Sequence, residues 1–223
     1  PQGTPGNAGA FGGVIPSLVQ KGVPPVITTD GPAGLRVRRY ASLLPCGTAL
    51  ASSWDASLVE AVYAAVAEEM EAVGSDMLLA PGMNIHRNPL CGRNFEYYSE
   101  DPYLAGKMAA GFIKGVQSKG VGTSMKHFAV NSQEAFRMIV NECVDERALR
   151  ELYLTQFEIA VKEAKPWTIM NAYNRLNGEY CSQNAWLQQK VLREEWGFDG
   201  MVVNDWGSSV DRTAGIKGGT DLE

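Results

Sequence analysis

The chain has 223 residues, enough for one large domain or two small ones. Hydrophobic residues make up 45% and charged residues 20%, the balance of a soluble globular protein, and a net charge of -5 argues against nucleic-acid and membrane partners. No apolar run has the length of a membrane span and no signal peptide is visible, while four scattered cysteines, Cys46, Cys91, Cys143 and Cys181, fit neither a zinc pattern nor a disulfide framework and are expected to be reduced and buried.

Residues 1–13 are rich in Gly, Pro and Ala and read as a loop. Residues 23–30 carry the first predicted strand. Gly31 and Pro32 stop it and leave Asp30 at its tip. Residues 43–53 are small and weakly apolar. Too few residues separate them from Asp30 for a crossover helix, so the first two strands are expected to run antiparallel, as an irregularity in a barrel. Asp55 is a good N-cap for a helix with Leu58, Val59, Val62, Val66, Met70 and Val73 on its apolar stripe and Gly74 as its stop.

A buried strand follows at 77–81, and a long loop at 82–92. Pro102 suits the first turn of a helix, with Glu100 and Asp101 at its positive end and Leu104, Met108, Phe112 and Val116 inward. Residues 123–131 are the next strand. Adjacent Lys126 and His127 inside it are unusual, because a buried lysine is costly unless paired. Alternation along a strand sends such neighbours to opposite faces, unless a bulge turns both toward one cleft.

Gln133, Glu134 and Arg137 fall in a loop. Asp145 then caps a helix with Leu149, Leu152, Phe157, Ile159, Ala160 and Val161 on its apolar side, ended by Pro166. Residues 167–174 form a strand running into polar groups, Asn177-Gly178 is a turn, and Asn184 caps a short helix through Leu187, Val191 and Leu192. Residues 200–203 are a short run of apolar or small residues leading into Asp205 and Trp206, and residues 218–223 look like another strand beginning.

Buried strands alternating with amphipathic helices predict an α/β fold, a TIM-like (β/α)8-type barrel that is irregular at its start and cut short at its C-terminal end, in one domain over 1–223. In such folds the carboxyl ends of the strands line the ligand cleft, which makes Asp205 a reactive carboxylate with Trp206 as an apolar wall. Plainer readings stand beside these. Asp205 could cap a βα loop, Asp30 could initiate its turn, His127 could be a satisfied core histidine, and Arg137 could be solvated. With two histidines in the whole chain no metal cluster is expected, and no cofactor is implied.

The motifs Thr29-Asp30-Gly31-Pro32, Gly92-Arg93-Asn94-Phe95-Glu96, Ser99-Glu100-Asp101-Pro102, Lys126-His127-Phe128, Met170-Asn171-Ala172-Tyr173-Asn174 and Asn204-Asp205-Trp206-Gly207 resemble those of glycoside hydrolase family 3, in order and over nearly the whole chain. The resemblance implies the N-terminal barrel of a retaining β-glucosidase, acting on a β-glucoside or oligosaccharide, with Asp205 as nucleophile. It implies that Asp30, Arg93, Lys126, His127 and Arg137 hold the hydroxyls of the sugar, that Met170 and Tyr173 line the floor, and that Trp206 walls the pocket. Arg93 and Lys126 are expected to keep Asp30 and Asp205 deprotonated.

A general acid/base is not identifiable in this sequence, although Glu96 and Glu134 are local candidates. The family takes that residue from a following α/β sandwich domain, so the chain is expected to be a fragment, or one part of a nicked protein, completed by other polypeptide. A homo-oligomer is left open. The alternatives are a β-xylosidase and a sugar-binding fragment without the acid. Ala129-Val130-Asn131-Ser132 after Lys126-His127-Phe128 argues against the N-acetylglucosaminidases of the family.

Overall fold

A computed structural model describes residues 8–13, 15–208 and 210–223. Among them, six strands form one curled sheet: Gly9–Gly12 (β1), Pro25–Asp30 (β2), Met77–Leu79 (β3), Gly122–Phe128 (β4), Thr168–Asn171 (β5) and Met201–Val203 (β6), hydrogen-bonded in that order. β1 is antiparallel to β2, and every later pair is parallel. Each parallel step is made by a crossover helix, through Ala56–Val73 (α1), Pro102–Gln117 (α2), Thr155–Ala164 (α3) and Trp186–Glu195 (α4), the last wound as a π-helix. After β6 comes a short helix, Arg212–Gly218 (α5), and Leu222 then bridges to Val203 as the next parallel strand would. This is a TIM-like α/β half-barrel with an irregular start.

The helix signals in the sequence act as read. Asp55 accepts from the N–H groups of Ser57 and Leu58, and Asp101 from those of Tyr103 and Leu104. Gly74 closes α1 in the left-handed region, at φ 70°. The core lies between the convex face of the sheet and the helices. Tyr63 stacks on Phe112 across α1 and α2, and Phe128 at the end of β4 meets Phe157 and Trp196 edge-on. α1 and α2 lie so close that a Cβ on Gly111 or Gly115 would fall 2.5 or 2.2 Å from the carbonyl oxygens of Ala56 and Glu60.

Four readings need correction. Residues 9–12 are strand and not loop; residues 1–7 of that expected loop lie outside the described residues. A glycine-rich tract has too few side chains to display alternation, and it pairs because β2 otherwise has a free edge. Residues 43–53 contain a helix, Gly47–Ala51, in place of the expected second strand, so the antiparallel partner of β2 precedes it in the chain. The helix after Asp145 is broken by a π stretch, Leu149–Tyr153, which turns Leu152 outward and brings Leu154 into the core. All four thiols are free, but Cys143 is exposed.

Candidate active site

The cleft is made by the carboxyl ends of the strands. Asp30 ends β2, Lys126 and His127 close β4, Met170 lies near the end of β5, and Asp205 and Trp206 follow β6. A cavity of about 630 Å³ is lined by these six residues together with Arg93, Arg137 and Glu96. Tyr173 completes the wall: its hydroxyl donates to the Trp206 carbonyl at 2.6 Å and stands beside the Asp205 carboxylate, whose charge it feels. All nine residues singled out from the sequence therefore meet at one place.

A bulge puts Lys126 and His127 on the same side. Met125 pairs with Ile169 and Phe128 with Asn171, so three steps along β4 match two along β5. The bulged backbone is held by Asn84, whose side-chain oxygen accepts from the His127 N–H at 2.9 Å and whose amide donates to the His127 carbonyl at 2.9 Å. Lys126 is almost sealed from water, and its Nζ lies 3.2 Å from Asp30 Oδ1. The neighbouring Arg36 Nη1 is 3.8 Å from Asp30 Oδ2. Asp30 thus gathers two cations while keeping about 29% of its side chain open to the cavity.

Asp205 is 14% exposed, and its Oδ1 accepts from the Trp206 N–H at 2.8 Å. His127 Nε2 stands 3.6 Å from Oδ2. Burial raises the Asp205 carboxyl above the usual carboxylate range, and Lys126, the Trp206 N–H, Arg93 and Tyr173 pull it back only in part. Lys126 and Arg93 act in the expected direction, toward the ionised form, and desolvation acts against them and more strongly. The Tyr173 phenol is pushed up to about 12 by its own burial and then by the Asp205 charge. Burial, reinforced by Arg93, Lys126 and Arg137, holds His127 well below the ordinary histidine range, so its ring is neutral.

The two arginines from loops are fixed by carboxylates. Arg93 is ion-paired with buried Glu96, and Arg137 with Glu134 at 2.9 Å while its guanidinium lies over the Tyr173 ring. Both glutamates considered as local acids are thereby engaged. Trp206 is 43% exposed and offers its ring to the cavity as a flat apolar wall. The sequence alone does not single out Arg36, Asn84, Tyr97 or Asn131 for the site: Tyr97 directly follows the Gly92–Glu96 motif and Asn131 lies just beyond Lys126-His127-Phe128, while Asn84 carries no signal beyond its place in a loop. Among the described residues no three His, Cys, Asp or Glu side chains gather as a metal site, and no helix is long and apolar enough to cross a membrane.

A family model described as the glycosyl hydrolase family 3 N terminal domain matches residues 15–220. Thermostable beta-glucosidase B of Acetivibrio thermocellus is 54% identical over 214 residues, which cover 91% of this chain and 28% of that protein. An exo-alpha-(1->6)-L-arabinopyranosidase of Bifidobacterium longum is 50% identical over 222 residues, 94% of this chain and 29% of that protein. Among solved structures, beta-glucosidase 3B from Thermotoga neapolitana in complex with glucose superposes with a TM-score of 0.93 at 54% identity, over 97% of this chain and 31% of that one. The chain spans less than a third of the length of these relatives.

Proposed function

Since the chain belongs to glycosyl hydrolase family 3, we propose that its cleft binds the terminal non-reducing β-D-glucosyl residue of a glycoside and that Asp205 attacks the anomeric carbon to give a covalent glycosyl-enzyme. The observation that carries this reading is the Asp205 carboxylate itself. It is buried at a strand end, held by the Trp206 N–H and Tyr173, and set in the same cavity as Asp30, Lys126 and His127. A sugar offers many hydroxyls. Asp30 can accept from two of them while Arg93, Lys126, His127 and Arg137 donate to others by charge-assisted or neutral hydrogen bonds, and the Trp206 indole covers the apolar face of the ring.

Retention needs a second carboxyl group about 5 Å from the nucleophile, first as acid and then as base. Glu96 and Glu134 are bound to arginines, so this group is assigned to polypeptide outside the present sequence, in an α/β sandwich domain. The 50% identity to an arabinopyranosidase supports a second reading with the same nucleophile, in which the subsite takes a pentopyranoside. β-Xylosides are tested in the same series.

The experiment is turnover of an activated aryl β-glucoside, whose leaving group needs little protonation. Release of the phenol, its loss in Asp205→Ala and partial recovery with azide support the hydrolase. Glucose binding without release by the unaltered protein leaves a sugar-binding module. Relative rates on aryl glucoside, xyloside and arabinopyranoside fix the substrate class.

A further inference from the structure

Behind the cleft wall lies a chain of polar groups that none of the roles above uses. Tyr97 is fully buried, and its hydroxyl lies 3.0 Å from His127 Nδ1. The same hydroxyl accepts from Asn131 Nδ2 at 2.9 Å. Asn131 Nδ2 also donates to Glu134 Oε1 at 2.9 Å, and Glu134 Oε2 accepts from Arg137 Nη1 at 2.9 Å. Asn131 is itself buried, and its Oδ1 finds no partner among the described residues.

The direction of each hydrogen bond follows from donor and acceptor chemistry. Glu134, ion-paired with Arg137, has only acceptors. The Asn131 atom that faces it must therefore be the amide nitrogen; turning the amide over would set oxygen against carboxylate. That nitrogen gives its other hydrogen to the Tyr97 oxygen. The phenol, which burial holds well above the ordinary tyrosine range, keeps its own hydrogen and can direct it only to His127 Nδ1. A neutral imidazole that accepts at Nδ1 carries its proton on Nε2. Nε2 is the nitrogen that faces Asp205, at 3.6 Å, too far for a hydrogen bond and so with its N–H still free for a ligand hydroxyl in the cleft.

We propose that Tyr97, Asn131 and Glu134 are positioning residues that hold His127 as the Nε2–H tautomer, so that its ring presents a donor to the sugar on the side of the cleft where Asp205 stands. The other tautomer would turn a lone pair toward a carboxylate and could only accept from a hydroxyl. The catalytic consequence rests on the hydrolase reading above, whereas the tautomer does not.

The chain contains two histidines, so the 15N-labelled imidazoles of the full chain give two ring systems, assigned with His86→Gln. The expected spectrum has a bare Nδ1 and a protonated Nε2 for His127. In Tyr97→Phe, which keeps the ring but removes the donor, and in Asn131→Leu, which frees the phenol to turn, a share of the Nδ1–H form appears. kcat/KM on the aryl glycoside falls about tenfold in Tyr97→Phe, the loss expected for one neutral hydrogen bond in a dry site. An Nδ1–H ring in the unaltered protein, or the same tautomer in both variants whatever their activity, overturns the proposal. A tautomer that responds as described in a protein that hydrolyses no glycoside upholds the positioning role and removes the hydrolase reading alone.

Discussion

The Lys126–Asp30 pair is unequally buried, with 4% of the lysine side chain and 29% of the aspartate side chain exposed, and its two halves are therefore not equally dispensable. Asp30→Ala leaves an ammonium group almost sealed from water. An uncompensated buried charge costs about 3–5 kcal/mol, and the Asp205 carboxylate that Lys126 also acts on reduces this to about 2–3 kcal/mol. Lys126→Met leaves an aspartate that water already reaches, with Arg36 3.8 Å away, while the thioether fills the space of the lysine stem. Its cost is about 1 kcal/mol or less. At roughly 2–4 °C per kcal/mol for a chain of this size, Asp30→Ala melts about 4–12 °C below the unaltered protein and Lys126→Met within about 4 °C of it. Thermal unfolding at neutral pH, followed by far-ultraviolet circular dichroism, measures both. Both variants lose affinity for glucose, so binding does not separate them; stability does. If Lys126→Met is destabilised as much as Asp30→Ala, or more, the account of the cleft as a place where the cation is trapped and the anion is not is wrong.

Tyr173→Phe removes a hydroxyl that lowers the Asp205 pKa. The acid limb of the kcat/KM profile on an aryl glycoside then moves to higher pH, and a limb that stays in place or moves down refutes the contact. His127 is held below the ordinary histidine range, so the unfolded ring takes up a proton that the folded ring refuses. Its contribution to stability is complete above about pH 6.5 and is lost as the pH falls below that value, by up to about 1.4 kcal/mol per unit, and His127→Asn flattens that slope in urea titrations. Gly115→Ala gains helix propensity but sets a methyl group 2.2 Å from the Glu60 carbonyl oxygen. The expected result is a loss of about 2–3 kcal/mol in urea unfolding, and a gain would mean that α1 and α2 separate without cost.

The alternation of buried strands and capped helices was legible in the chain because its causes are local. Asp55, Asp101 and Gly74 satisfy helix ends by themselves, and residues 77–79 and 201–203 are short apolar runs that fit a sheet covered on both faces. The strand-end rule also picked out Asp30, Lys126, His127 and Asp205, since a parallel sheet brings all its carboxyl ends to one rim. What the local pattern could not determine was anything that depends on a partner distant in sequence. Gly9–Gly12 is a strand because β2 offers it an edge, and Gly47–Ala51 is a helix although its small side chains carry no periodic signal. Lys126 and His127 face the same way because β4 takes one residue more than β5 over the same span, a count settled only by pairing between residues 44 apart before the bulge and 43 apart after it. The state of the site was decided in the same manner. The Asp205 carboxyl lies high because the fold removes water faster than Lys126 and Arg93 add charge, and the His127 ring is neutral and oriented because Tyr97, 30 residues earlier, is pressed against it. Residue type and spacing name the groups that reach a cleft. Burial and hydrogen-bond direction, which exist only once the chain has closed on itself, determine which of those groups carry a proton.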